Sequence, residues 1–140
     1  MKTLYKTSAV SVGGRDGQSY VEKTPVRFEM ALPKELGGAK EFGFNPEQLF
    51  AAGYAACFGS ALQHVFRERK LNLPAPEVHV TVGIGTNDAG KFQLEASIHV
   101  VFKGVEQDAA ERLVAEAHEV CPYSSATRGN IEVTLSAKVE

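Results

Sequence analysis

Apolar and polar positions alternate along several stretches of this 140-residue chain and switch to helical spacing in two others. From Val78 to Ile84, apolar residues alternate with His79, Thr81 and Gly83, and from Phe92 to Phe102 the alternation resumes through Leu94, Ala96, Ile98 and Val100. A period of two puts every second side chain on one face of a strand, so these runs, joined by the turn Asn87–Gly90, predict a hairpin. Ile131, Val133, Leu135, Ala137 and Val139 predict a last strand in the same way. Near the start, Thr3 to Val12 is rich in β-branched and aromatic residues, Gln18 to Glu22 reads as the returning strand, and Val26, Phe28 and Met30 alternate with charges. Between the first two runs lies GGRDG, Gly13 to Gly17, whose glycines and aspartate tolerate the positive φ of a tight turn.

The stretch from Asn45 to Lys70 predicts the longest helix. Asn45 can accept a hydrogen bond from a first-turn N–H, Pro46 suits a first position that has no N–H to satisfy, and Gln48 follows at capping-box spacing. Leu49 to Leu62 carries no charge; about 14 such residues are too few to cross a bilayer, which makes this a core helix. Ala51, Ala52, Gly53, Ala55, Ala56, Gly59, Ser60 and Ala61 are small and admit a close neighbour. A second helix runs from Val105 to Val120, with Ala109, Ala110, Leu113, Val114, Ala117 and Val120 on one face; Cys121 closes that face and Pro122 ends the helix. Pro33 to Phe44 has neither period and reads as a loop, and Leu71 to Pro76, with two prolines, as a linker. The order βββ–α–ββ–α–β predicts one α+β domain over 1–140, an antiparallel β-sheet packed with two main helices. Antiparallel hairpins without a glycine-rich phosphate loop argue against a nucleotide site.

Composition narrows the function. With 44% apolar and 23% charged residues the chain is an ordinary globular sequence long enough to bury a core. The net charge is −2 and no basic run exceeds Arg67–Lys70, which argues against nucleic acid as a partner. The N-terminus lacks the apolar segment of a signal peptide, and no membrane association is expected. Two cysteines without an export signal point to a reducing, cytoplasmic setting and to reactive rather than scaffold thiols.

Cys57, in the middle of the alanine-rich helix, taken alone reads as a small buried hydrophobe. Cys121 changes that reading, because two helices on one sheet can bring these thiols within disulfide range. Metal is the rival use. Cys57 and His64 are seven residues apart and His118 and Cys121 three, but a structural zinc site wants close pairs on both sides, and only one side has one. No metal is expected. Arg15 in the GGRDG turn reads as a solvated turn charge, and Glu47, in the first helical turn, as compensation of the helix dipole. Both acquire chemistry only if the guanidinium reaches a thiol and the carboxylate holds it there.

The segments GGRDG around Arg15, NPEQLFAAGYAACF around Cys57 and VCPYSSATRGNI around Cys121 resemble the organic hydroperoxide resistance branch of the Ohr/OsmC family, in order and over nearly the whole length. The resemblance implies an OsmC-like fold in an intertwined homodimer. It implies that Cys57 is the peroxidatic and Cys121 the resolving cysteine, with Arg15 and Glu47 activating the thiolate. The implied substrate is an organic hydroperoxide and the implied reductant a lipoyl dithiol or lipoylated protein, with no cofactor.

Helix geometry adds a separate expectation. Glu47 and Cys57 are ten residues apart on one helix, about 15 Å in rise, too far to meet around one arginine. A site using all three therefore draws Arg15 and Glu47 from one subunit and Cys57 from the other. Phe42, Phe44, Phe50, Tyr54 and Phe58 are the candidates for an apolar substrate pocket, with core packing the role of at least half of them. The alternative is a redox-sensing or small-ligand-binding domain that uses the same cysteine pair without turnover.

Overall fold

The computed structural model describes all residues, 1–140. The chain, expected to form one domain, is organised as two compact units, Met1–Leu49 and Phe50–Glu140.

In the first unit, strands β1 (Ala9–Val12), β2 (Gln18–Val21) and β3 (Arg27–Glu29) pair antiparallel in that order, with Val10 opposite Tyr20 and Gln18 opposite Glu29. β1 is shorter than the expected Thr3–Val12. β2 stops at Val21, and Lys23 turns away at φ 60°, so nothing stands opposite residues 3–7 beyond the bond from Glu22 N–H to the Ser8 carbonyl. The GGRDG segment forms a 3₁₀ turn over Gly14–Asp16, with Gly13 at φ 83° and Gly14 at φ 58°. A Cβ on Gly17 would run into the Val12 carbonyl, so the turn needs glycine there for close approach. The loop after β3 contains a 3₁₀ turn over Lys34–Leu36 and returns beside β3, where Phe44 N–H reaches Glu29 O and Ala31 N–H reaches Phe44 O, both at 2.8 Å. Asn45 then caps helix α1 (Pro46–Glu68) reciprocally. Gln48 N–H donates to Asn45 Oδ1 at 2.9 Å and Asn45 N–H to Gln48 Oε1 at 3.0 Å, a capping box built on asparagine.

In the second unit, β4 (Glu77–Thr86) and β5 (Phe92–Phe102) form the expected antiparallel hairpin. Helices α2 (Gln107–Val120) and α3 (Pro122–Thr127) lead to β6 (Val133–Val139), which pairs parallel to β5. The α+β class and the two main helices stand as expected; the strands are shared between two three-stranded sheets, and the second sheet is mixed rather than antiparallel. The reason is the connection. A helical crossover returns the chain to the end of β5 from which it started, so the next strand runs the same way. The core lies between this sheet and the helices: Tyr54, Phe58 and Leu62 of α1, Ile98, Val100 and Phe102 of β5, and Ala110, Leu113, Val114 and Ala117 of α2. By length and composition α1 qualifies as a possible membrane span, more than its uncharged stretch suggests. Its large apolar side chains are instead buried in this core.

Candidate active site

The two thiols meet inside the second unit. Cys57 lies on α1 one turn after the fully buried Tyr54, and Cys121 joins α2 to α3 with an extended backbone, φ −68° and ψ 121°. Cys121 Sγ is 3.6 Å from Cys57 Sγ, and both thiols are free. That is van der Waals contact; a disulfide of about 2.05 Å needs a shift of only ~1.5 Å. Cys121 is wholly buried and Cys57 half-buried. Burial pushes the Cys57 thiol pKa up, with a further upward contribution from Cys121, while the backbone N–H of Tyr123, in the first turn of α3, pulls the other way. Burial thus works against the Cys57 thiolate, the nucleophilic form, and a nearby positive charge would work in its favour.

A guanidinium held by a carboxylate stands in the first unit. Arg15 Nη1 and Nη2 donate to Glu47 Oε2 and Oε1, both at 2.7 Å, a bidentate pair across 32 residues. The Arg15 hydrogen bond holds the Glu47 carboxyl below its usual range, and Glu47 in turn raises Arg15. Two of the five guanidinium N–H groups are used in the pair, which leaves three for a further acceptor.

The five aromatic candidates separate by place. Tyr54 and Phe58 are fully buried core residues. Phe50 stacks on Tyr123, with ring centroids 6.3 Å apart, and lines a 440 Å³ groove with Phe92, Leu94, Ala126 and Ile131. Phe42 and Phe44 belong to the first unit, Phe42 being 82% exposed and Phe44 48%. A separate 370 Å³ cavity opens directly at Cys57, lined by Ser60, Ala61, His64, Val120 and Pro122.

Ser124 and Thr127, which sequence reasoning passes over, follow Cys121 in α3. Pro122 does more than end α2: it occupies the first position of α3, whose Ser124 and Thr127 are buried. Tyr54 OH lies 2.9 Å from Ser124 Oγ and 3.1 Å from Thr127 Oγ1, and His118 Nδ1 lies 2.8 Å from Ser124 Oγ. The signal for α3 is the proline followed by small polar residues, the pattern of a helix start. Gly53 completes the arrangement. Its missing side chain lets the Tyr123 ring lie against α1, where a Cβ would come within 3.2 Å of the phenol oxygen.

Residues 37–136 match the family model of the OsmC-like proteins. The organic hydroperoxide resistance protein of Xanthomonas axonopodis pv. citri is 44% identical over 136 residues, covering 96% of this chain and 95% of its own. An organic hydroperoxide resistance protein-like 2 of Staphylococcus epidermidis is 42% identical over 139 residues, 99% of this chain and 98% of its own. Among solved structures, an organic hydroperoxide resistance protein of Elizabethkingia anophelis superposes with a TM-score of 0.94 at 46% identity over the full length of both chains. OhrB of Bacillus subtilis superposes with 0.88 at 38% identity, covering 97% of this chain and 100% of its own.

Proposed function

The chain belongs to the OsmC-like family, alongside the organic hydroperoxide resistance proteins, and from that membership and its dithiol we propose that it is a cysteine-based peroxidase for organic hydroperoxides. The observation that carries this reading is the pair of free sulfurs 3.6 Å apart, one half-exposed beside a cavity and one buried.

The O–O bond of a hydroperoxide is weak, but its cleavage expels an alkoxide, so the reaction needs a thiolate and a cationic donor. The Cys57 thiolate attacks the terminal peroxide oxygen; the alkoxide leaves, takes a proton and departs as the alcohol. Cys57 is left as a sulfenic acid. The Cys121 thiol condenses with it, forming the S–S bond and releasing water. An external dithiol, of the lipoyl type, then attacks this disulfide, passes through a mixed disulfide and leaves oxidised. The thiols belong in a reducing compartment, the cytoplasm. No step calls for a metal, haem or flavin.

Arg15 supplies the charge, lowering the Cys57 pKa and stabilising the departing oxygen, while Glu47 holds its guanidinium in position. The ten-residue spacing of Glu47 and Cys57 on α1 supports a homodimer in which each site takes Arg15 and Glu47 from one subunit and the dithiol from the other. A monomer with undiminished activity in dilute solution would sink the composite site. The apolar part of the cavity at Cys57, Ala61, Val120 and Pro122, favours alkyl or fatty-acyl hydroperoxides by about 0.8 kcal/mol per buried CH₂.

The test is consumption of cumene hydroperoxide with dihydrolipoamide by wild type, Cys57→Ser and Cys121→Ser. Wild type should turn over, Cys57→Ser should be inert, and Cys121→Ser should react once and then stall. A second reading, a regulatory disulfide without turnover, draws support from the raised pKa of the Cys57 thiol. It requires that wild type, too, stop after one equivalent of peroxide with dithiol present.

A further inference from the structure

Behind the dithiol, four hydrogen bonds share a fixed number of protons. Thr127 Oγ1 lies 3.1 Å from the Ser124 carbonyl and 3.1 Å from Tyr54 OH; Ser124 Oγ lies 2.9 Å from Tyr54 OH and 2.8 Å from His118 Nδ1. The three hydroxyls bring one proton each. A carbonyl only accepts, so Thr127 donates to Ser124 O. Tyr54 must then donate to Thr127, and Ser124 to Tyr54. The remaining bond has no hydroxyl proton left for it, so His118 supplies one, donating from Nδ1 to Ser124 Oγ. No buried side-chain polar atom in the protein lacks a partner, in keeping with a fully satisfied chain.

We propose that His118 is a positioning residue for disulfide formation, acting as an Nδ1–H donor that clamps together the helices on either side of Cys121. This rests on the peroxidase reading only for the reaction in which the disulfide forms. His118 stands three residues before Cys121 and Ser124 three after, so their bond closes a ring of chain with Cys121 at its midpoint. The backbone is extended at Cys121, where α2 breaks and α3 begins. Arg128 spans the same break by donating from Nη2 to the His118 carbonyl at 2.6 Å. On the other side, Tyr54 lies one turn before Cys57 and ties α1 to α3 through both hydroxyls. Each thiol therefore stands one helical turn from a member of the chain, which sets their separation. In the step it serves, the Cys121 sulfur attacks the Cys57 sulfur of the sulfenic acid; the S–O bond breaks, and hydroxide leaves with the thiol's proton as water.

Asparagine can place an N–H donor near the position of Nδ1, whereas glutamine extends it to about that of Nε2. The experiment compares wild type with His118→Asn, His118→Gln and His118→Ala. In ring-¹⁵N-labelled wild type at neutral pH, His118 should carry its proton on Nδ1. With dithiothreitol redox buffers, Gln and Ala should shift the Cys57–Cys121 equilibrium at least tenfold toward the dithiol and slow closure after one equivalent of cumene hydroperoxide by about as much, while Asn stays within about twofold of wild type. An Nε2–H tautomer, or Gln indistinguishable from Asn, overturns the proposal. The Asn–Gln contrast decides the matter even where the alanine variant fails to fold. If peroxide oxidises no thiol in wild type but the dithiothreitol equilibria separate as stated, the peroxidase reading fails and the positioning role stands. If wild type turns over but the three variants match it, the positioning role fails and the peroxidase reading stands.

Discussion

At Glu47 one carboxylate serves a helix end and a guanidinium together. Glu47→Gln keeps the size of the side chain and removes the charge, so Arg15 loses its bidentate acceptor. Stability should change by no more than about 1 kcal/mol, because Arg15 is 36% exposed, whereas kcat/KM for cumene hydroperoxide should fall at least tenfold. The carboxyl's lowered pKa gives the pair a pH signature. Its contribution is fully present above the unfolded value of about 4.5 and is lost as pH falls through the lower folded value. Urea midpoints of wild type and Glu47→Gln should therefore converge only below pH 4.5. At Tyr54 the hydroxyl rather than the ring is the vulnerable part. Tyr54→Phe keeps the core filled but leaves Thr127 and Ser124 short of a partner, and should lower unfolding free energy by about 1–3 kcal/mol.

Elements differ in how openly the chain announces them. The β4–β5 hairpin and α1 are legible because each carries an uninterrupted period, and α1 also announces its own start. Replacing that cap, Asn45→Ala, should cost about 1 kcal/mol in chemical denaturation. The direction of β6 is not legible, since its alternation is the same whether it pairs parallel or antiparallel; the crossover decides it. α3 escapes notice because a six-residue helix shows no full apolar period, and Pro122 reads only as a terminator. With α3 go Ser124, Thr127 and the partner of His118, although both cysteines, Arg15 and Glu47 stand out as residue types. The α2–α3 junction has a titration of its own. Burial, with Arg128 opposing and Glu119 favouring the charged ring, lowers the His118 pKa from 6.5. The unfolded chain then binds more protons than the folded one below pH 6.5, so stability should fall as pH drops through that window. A smaller loss between pH 7.5 and 5.5 in His118→Asn, followed by urea unfolding, is the expected result.

For the whole molecule, the largest lever on stability is the redox state. Cys57 and Cys121 lie 64 positions apart, and loop entropy gives a link of that span roughly 4 kcal/mol over the dithiol. Oxidised protein should show the higher guanidinium midpoint, and Cys121→Ser should abolish the difference. The parallel register of β6 on β5 has a consequence for biosynthesis. Antiparallel neighbours can zip from a turn, but β6 can join its sheet only after the whole crossover that carries Cys121 has left the ribosome and folded back. Between the addition of residue 57 and that of residue 121, Cys57 is a lone thiol without Cys121 beside it, and a nascent chain that meets peroxide in that interval is open to irreversible overoxidation.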